Sequence, residues 1–290
     1  MTSSRTRAAA LALVAALSLV LSGCGAGGFG GKEPANLDTS IKSYVALGDG
    51  FAAAPYVGRT TSKDGCLRSE LNYPQQVATA LGVTDFKDVS CLGATTKAIT
   101  DSYRPPGAKR DVKAQLDAVT KDTELVTITV GLSDGNLLNS IFRICTAAPC
   151  GNEVIAKKVV DQLNQISTDL PATIRAVVAK APQAYVVVVG YPELMPLENG
   201  CKTLPRMNDD QWSYANLAWD RFTTAVGSAA RQAGATFVDV QRLSADHPPC
   251  SKHPWVSGGT SVKGKSVAYH PKPLEQQAVA TAVADQVKTR

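Results

Sequence analysis

Residues 184–189 read Ala-Tyr-Val-Val-Val-Val and run into Gly190-Tyr191-Pro192. A continuous apolar, β-branched run of this kind has no face to give to water, so it reads as a strand covered on both sides. Helices must then lie above and below it, and the sheet must be largely parallel. Tyr44–Leu47, stopping at Gly48, and Glu124–Val130, stopping at Gly131, are runs of the same type. Weaker segments at Val83–Cys91 and Ala235–Val240 bring the total to about five strands.

Helical patterns separate these runs. Asn72–Leu81 has Val77, Ala80 and Leu81 at helical spacing, and Gly82 is a natural stop. Val112–Val119 reads as a short helix with Leu116 and Val119 inward. Asp134 is placed to cap a helix running toward Ile144. Asn152–Lys180 carries Val159, Leu163 and Ile166 on one face, and Pro171 reads as the start of a second helix. Asn208–Ala233 opens on a loose capping box, Asn208 with Gln211. After a long irregular loop to Tyr269, Pro273–Val287 closes the chain as a helix. Strands alternating with helices predict an α/β fold: a three-layer α/β/α sandwich, flavodoxin-like, on a parallel sheet of about five strands.

The N-terminus is of another kind. Met1–Arg7 carries Arg5 and Arg7 and no acid, and Ala8–Leu21 is apolar apart from Ser18. That core is shorter than the ~20 residues a bilayer-spanning helix needs, so it reads as a secretory signal. It ends in Leu21-Ser22-Gly23-Cys24, which resembles a bacterial lipobox. The resemblance implies a signal peptide at 1–23, a lipid on Cys24 and attachment to the outer face of the bacterial cell membrane. Residues 24–42 then form a flexible tether of roughly 20 Å, and 43–290 the folded domain, expected as a monomer. Without the two signal arginines the net charge falls from +5 to +3. That excess is not clustered along the chain, so nucleic-acid binding has little support.

Apart from Cys24, the seven cysteines leave Cys66, Cys91, Cys145, Cys150, Cys201 and Cys250. An even set in an exported chain implies disulfides. A metal site is the rival reading, weakened by the absence of C-x-x-C and of histidines at ligand spacing. No metal and no cofactor are expected.

Four blocks sit past strand ends or before the last helix. They are Gly48-Asp49-Gly50, Gly93 within Asp88–Thr96, Gly131-Leu132-Ser133-Asp134, and Tyr269-His270-Pro271. In an open parallel sheet, ligands bind beyond the carboxyl ends of the strands. The order and spacing of these blocks resemble the SGNH/GDSL hydrolases over nearly the whole domain. Cys66–Pro74 and the second block look especially close to actinobacterial secreted members. Related secreted esterases carry three bridges between neighbouring cysteines, which implies Cys66–Cys91, Cys145–Cys150 and Cys201–Cys250.

The resemblance assigns roles by position. His270 falls at the general base. Gly93 falls at the glycine whose N–H joins the oxyanion hole. Gly50 stands where the family has its serine nucleophile, and Ser133 where it has the asparagine donor. Val267 occupies the place of the acid often found three residues before the histidine, and some relatives use a main-chain carbonyl there instead. Asp49 and Asp134 support the site. Losing the nucleophile of a Ser-His system costs about 10⁶ in kcat, and losing one oxyanion donor a further ~10²–10³. The resemblance therefore implies an ester-hydrolase fold with impaired chemistry, its cleft left for an acyl or glycan ligand. An esterase working through Ser133 or a water, and a purely structural envelope lipoprotein, are the alternatives. His247 and His253 read as surface residues.

Overall fold

All five expected strands form, and they lie parallel in the order β4-β1-β5-β6-β7. The structure is a computed structural model that describes residues 40–146, 153–196 and 200–290. The signal, Cys24 and the tether as far as residue 39 lie outside the described residues, as does the Cys145–Cys150 pairing. In chain order the elements are β1 Ser43–Gly48, α1 Gly50–Ala53, the short antiparallel pair β2 Thr60–Thr61 and β3 Arg68–Ser69, α2 Tyr73–Leu81, β4 Asp85–Asp88, α3 Lys97–Thr100, β5 Leu125–Thr129, α4 Leu137–Thr146, α5 Glu153–Lys180, β6 Tyr185–Val189, α6 Asp209–Gln232, β7 Thr236–Val238, α7 Val240–Leu243 and α8 Pro273–Lys288.

The strand residues alternate between two cores, as a period of two requires. Val45, Leu47, Val126, Ile128, Val186 and Val188 face a core filled from α4, α5 and α6. Tyr44, Ala46, Leu125, Val187 and Val189 face the other, filled from α2 and α8. The register places Leu47 beside Ile128 and Ile128 beside Val188. The carboxyl ends of β1 and β5 therefore lie together, where the first and third blocks begin.

Several local readings need correction. Pro171 does not start a helix but lies inside α5. The buried stripe Val159, Leu163, Ile166, Leu170, Ile174 and Val177 stays in helical phase across it. Packing of that stripe outweighs the ~3 kcal/mol an internal proline costs. Between Val112 and Val119 only Gln115–Ala118 is helical, as a 3₁₀ turn. Val112 is taken by a bridge to Tyr103, and Gln115 is turned inward to grip Gly48. Asp134 does not cap α4; its Oδ1 accepts the Thr96 N–H at 2.7 Å. The last strand stops at Val238, because Asp239 caps α7 by accepting the Arg242 N–H. His253 is exposed, but His247 is half-buried and stacks on buried Trp255 with ring centroids 4.9 Å apart.

The Asn208–Gln211 capping box forms with both of its hydrogen bonds. Disulfides join Cys66 to Cys91 and Cys201 to Cys250, as the resemblance implied. Both belong to a chain that folds in an oxidising compartment. The first closes a span of 25 residues. By chain entropy, Cys66→Ala/Cys91→Ala should lose about 3 kcal/mol of stability. Urea unfolding of the variant against the parent checks this, and a loss below about 1 kcal/mol would contradict it.

Candidate active site

The site grows from the end of β1. Gly48 has φ of +154°, and a Cβ on it would lie 2.6 Å from the Thr129 carbonyl oxygen. Only glycine lets β1 and β5 approach this closely. Its N–H donates to Gln115 Oε1 at 2.7 Å, and its carbonyl accepts from Gln115 Nε2 at 2.9 Å and from the Cys91 N–H at 2.9 Å. The chain then turns into α1, with Asp49 as its cap: Oδ1 accepts the Phe51 N–H at 2.9 Å. Gly50 is the first helical residue and has no left-handed φ. The need for glycine thus lies at 48 rather than 50.

Asp49 is buried, and its Oδ2 accepts from the Tyr191 hydroxyl at 2.7 Å. The Tyr191 hydroxyl oxygen in turn accepts the Leu132 N–H at 3.3 Å. Burial pushes the Asp49 carboxyl up to about 7, against the pull of these two hydrogen bonds on the carboxylate. Asp49 is therefore a strut between the first and third blocks. Asp134 ties the third to the second through Thr96, and burial raises its carboxyl as well.

His270 comes from the loop before α8. Its main chain is pinned by Ser257: the Ser257 N–H donates to His270 O at 2.9 Å, and the His270 N–H donates to Ser257 Oγ at 3.1 Å. Nδ1 lies 2.8 Å from the Ala268 carbonyl oxygen. A carbonyl only accepts, so Nδ1 carries the proton and Nε2 keeps its lone pair. A main-chain oxygen thus serves as the orienting group in a chain where Val267 stands in the place of the acid. The ring stacks on Phe51 at 5.5 Å. Burial holds the imidazole below its ordinary value, although the Ala268 bond pulls the other way.

Nε2 points at the first block. A Cβ built on Gly50 would lie 2.3 Å from His270 Nε2 and 2.8 Å from Leu92 Cδ1. The structure thus brings Gly50, His270 and the second block together. Gly93 has φ of +76°, and a Cβ there would meet the Tyr103 hydroxyl at 2.7 Å. The N–H groups of Gly50 and Gly93 donate to no acceptor among the described residues. The Ser133 hydroxyl caps nothing in the turn it begins.

Reading the sequence missed the supports: Tyr191, Gln115, Ser257 and Gln276. Gln276 anchors α8 to the site, accepting the Tyr73 N–H at 2.6 Å and donating to Phe51 O at 3.1 Å. Tyr191 alone had a usable signal, since Gly190-Tyr191-Pro192 follows a strand just as the other blocks do.

A parallel five-stranded sheet flanked by helices, with a histidine aimed at the turn after its first strand, defines a three-layer scaffold of the SGNH hydrolase type. The chain belongs to the GDSL-like Lipase/Acylhydrolase family, which it matches over residues 46–278. It is 29% identical over 233 residues to a lipase of Streptomyces rimosus, covering 79% of this chain and 80% of that one. It is 30% identical over 227 residues to Lipase 2 of Streptomyces coelicolor, covering 73% and 74%. Among solved structures, an extracellular lipase from Streptomyces rimosus superposes with a TM-score of 0.68 at 28% identity, covering 85% of this chain and 99% of that one. A phospholipase A1 from Streptomyces albidoflavus NA297 does so with the same TM-score of 0.68 at 25% identity, covering 84% and 99%.

Proposed function

We propose that this chain is an exported, lipid-anchored member of the family whose ester hydrolysis is largely lost, and whose cleft is kept to bind an acyl or glycan ligand at the cell envelope. The observation that carries the reading is the approach of His270 Nε2 to 2.3 Å from the Cβ place of Gly50. A proton acceptor aims at the family's nucleophile position, and no hydroxyl stands there to be deprotonated. The edge of the ring presses into that space, which argues against a water held between His270 and Gly50. Gly50 and Gly93 keep their main-chain donors, but Ser133 offers at best a hydroxyl where the family has an amide. The lipid on Cys24 rests on the lipobox-like Leu21–Cys24 and the oxidising compartment that the disulfides require.

The chain should show no labelling by a fluorophosphonate serine probe and no turnover of short-chain nitrophenyl esters above a His270→Ala control. Labelling or turnover that disappears in Ser133→Ala would replace this reading with a displaced-nucleophile esterase.

A further inference from the structure

The charge excess looks scattered along the sequence, but the fold gathers part of it. Residues 62–65, Leu67 and residues 106–112 line an open cleft of about 660 Å³, and Lys63, Lys109 and Arg110 are among its walls. Two acids also line it, and both are already engaged: Asp64 by Arg68, and Asp111 by Arg104 at 2.6 Å. Lys63, Lys109 and Arg110 have no carboxylate partner among the described residues. The cleft therefore holds three cations that neither of its own carboxylates engages.

Its walls are built rather than loose. Tyr103 and Val112 exchange main-chain hydrogen bonds of 3.0 and 2.7 Å, closing the second wall as a hairpin. Pro105–Ala108 makes a tight turn with Gly107 at φ of +76° and the Ala108 N–H on Pro105 O. This is the type II arrangement that Pro106-Gly107 favours. A Cβ on Gly65 would lie 2.8 Å from Ala108 Cβ, so the two walls touch. Cys66 is fixed by its disulfide to Cys91. The N–H groups of Gly107, Lys109 and Arg110 donate to no acceptor among the described residues, so the wall offers main-chain donors beside the cations.

We propose that this cleft binds a phosphate-bearing ligand, with the phosphate seated among Lys63, Lys109 and Arg110. A phosphate monoester presents three unesterified oxygens and about −1.5 to −2 charge to two ammonium groups and a guanidinium fork, against two oxygens and a single charge for a carboxylate. The cleft contains neither Gly50 nor His270, so this inference does not rest on the proposed loss of hydrolysis. Pro106 also packs 3.2 Å from the Cβ place of Gly93, so this wall adjoins the second block.

The test titrates the full chain with inorganic phosphate and with glycerol 3-phosphate by calorimetry at low salt. In parallel, its sedimentation with phosphatidylglycerol vesicles is compared with that on phosphatidylcholine vesicles. Lys109→Ala/Arg110→Ala should weaken binding by about tenfold or more, while Lys180→Ala/Lys288→Ala, the same charge change elsewhere, should not. All four side chains are exposed, so unchanged melting of the apo proteins is the check on folding. Binding of the free phosphates identifies a small phosphate ester. Binding confined to phosphatidylglycerol vesicles identifies a lipid headgroup. No binding in any arm, or equal weakening by both double variants, overturns the proposal.

Discussion

Gly50→Ser is expected to raise ester turnover by orders of magnitude over the parent chain. The backbone allows it, because Gly50 is helical and has no left-handed φ. Space is the only obstacle. The new Cβ would meet His270 Nε2 at 2.3 Å and Leu92 Cδ1 at 2.8 Å, both of them ends of side chains. A withdrawal of the imidazole by about 1 Å brings a serine hydroxyl into the hydrogen-bond range that proton transfer requires. Nδ1 remains held by Ala268 O, so the accepting lone pair stays on Nε2. Restoring the hydroxyl recovers part of a factor of about 10⁶, and Ser133→Asn in the same chain should add ~10²–10³. Because burial lowers the His270 value, the recovered activity should persist below pH 6.5, where an ordinary histidine is protonated and useless as a base. Nitrophenyl ester turnover, fluorophosphonate labelling and the loss of both in Gly50→Ser/His270→Ala measure this. A folded Gly50→Ser chain that neither labels nor turns over would mean that His270 is not poised as a base.

The stability of the chain should fall as the pH rises from about 4.5 to 8, with Glu275 as a main cause. Glu275 is 2% exposed in the first turn of α8. Among the described residues its one hydrogen-bond partner is Gln276 Nε2 at 2.6 Å. Burial pushes its carboxyl up to about 8, against the pull of that hydrogen bond, from an ordinary value of 4.5. Across this window the folded chain keeps the proton that the unfolded chain releases, so the unfolded state is favoured as pH rises. At about 1.4 kcal/mol per unit, the loss reaches about 3 to 5 kcal/mol by pH 8. Asp49 acts in the same direction between 3.8 and about 7. His270, with its value lowered, acts oppositely and weakens the fold only as pH drops below 6.5. Glu275→Gln keeps shape and hydrogen bonding but cannot ionise. Its urea midpoint should match the parent near pH 4.5 and exceed it clearly at pH 8. Equal midpoints at pH 8 would show that the carboxyl is not held neutral by the fold.

What could be read from the chain followed burial on both faces. Tyr44–Leu47 and Ala184–Val189 announce central strands because no polar residue interrupts them. The edge strand Asp85-Phe86-Lys87-Asp88 is charged, as edges tend to be, and its limits were correspondingly blurred. The four blocks were legible because each follows a strand or precedes a helix. Their supports were not, since those partners are distant in the chain: Tyr191 reaches Asp49 across 142 residues and Gln276 reaches Phe51 across 225. Asp134 shows the same limit. Its position suits a cap, yet a main-chain N–H 38 residues away claims it. The cation cleft was hidden for this reason too, since Lys63 meets Lys109 and Arg110 only through folding.

Gln115 holds both polar groups of Gly48, and Asp49 holds the first turn of α1 through main-chain N–H and Tyr191. None of these bonds involves the side chain at position 50. Reactivity and architecture are therefore separable at this turn. An exchange between glycine and serine there adds or removes a hydroxyl beside His270 while the bonds that frame the turn stay in place.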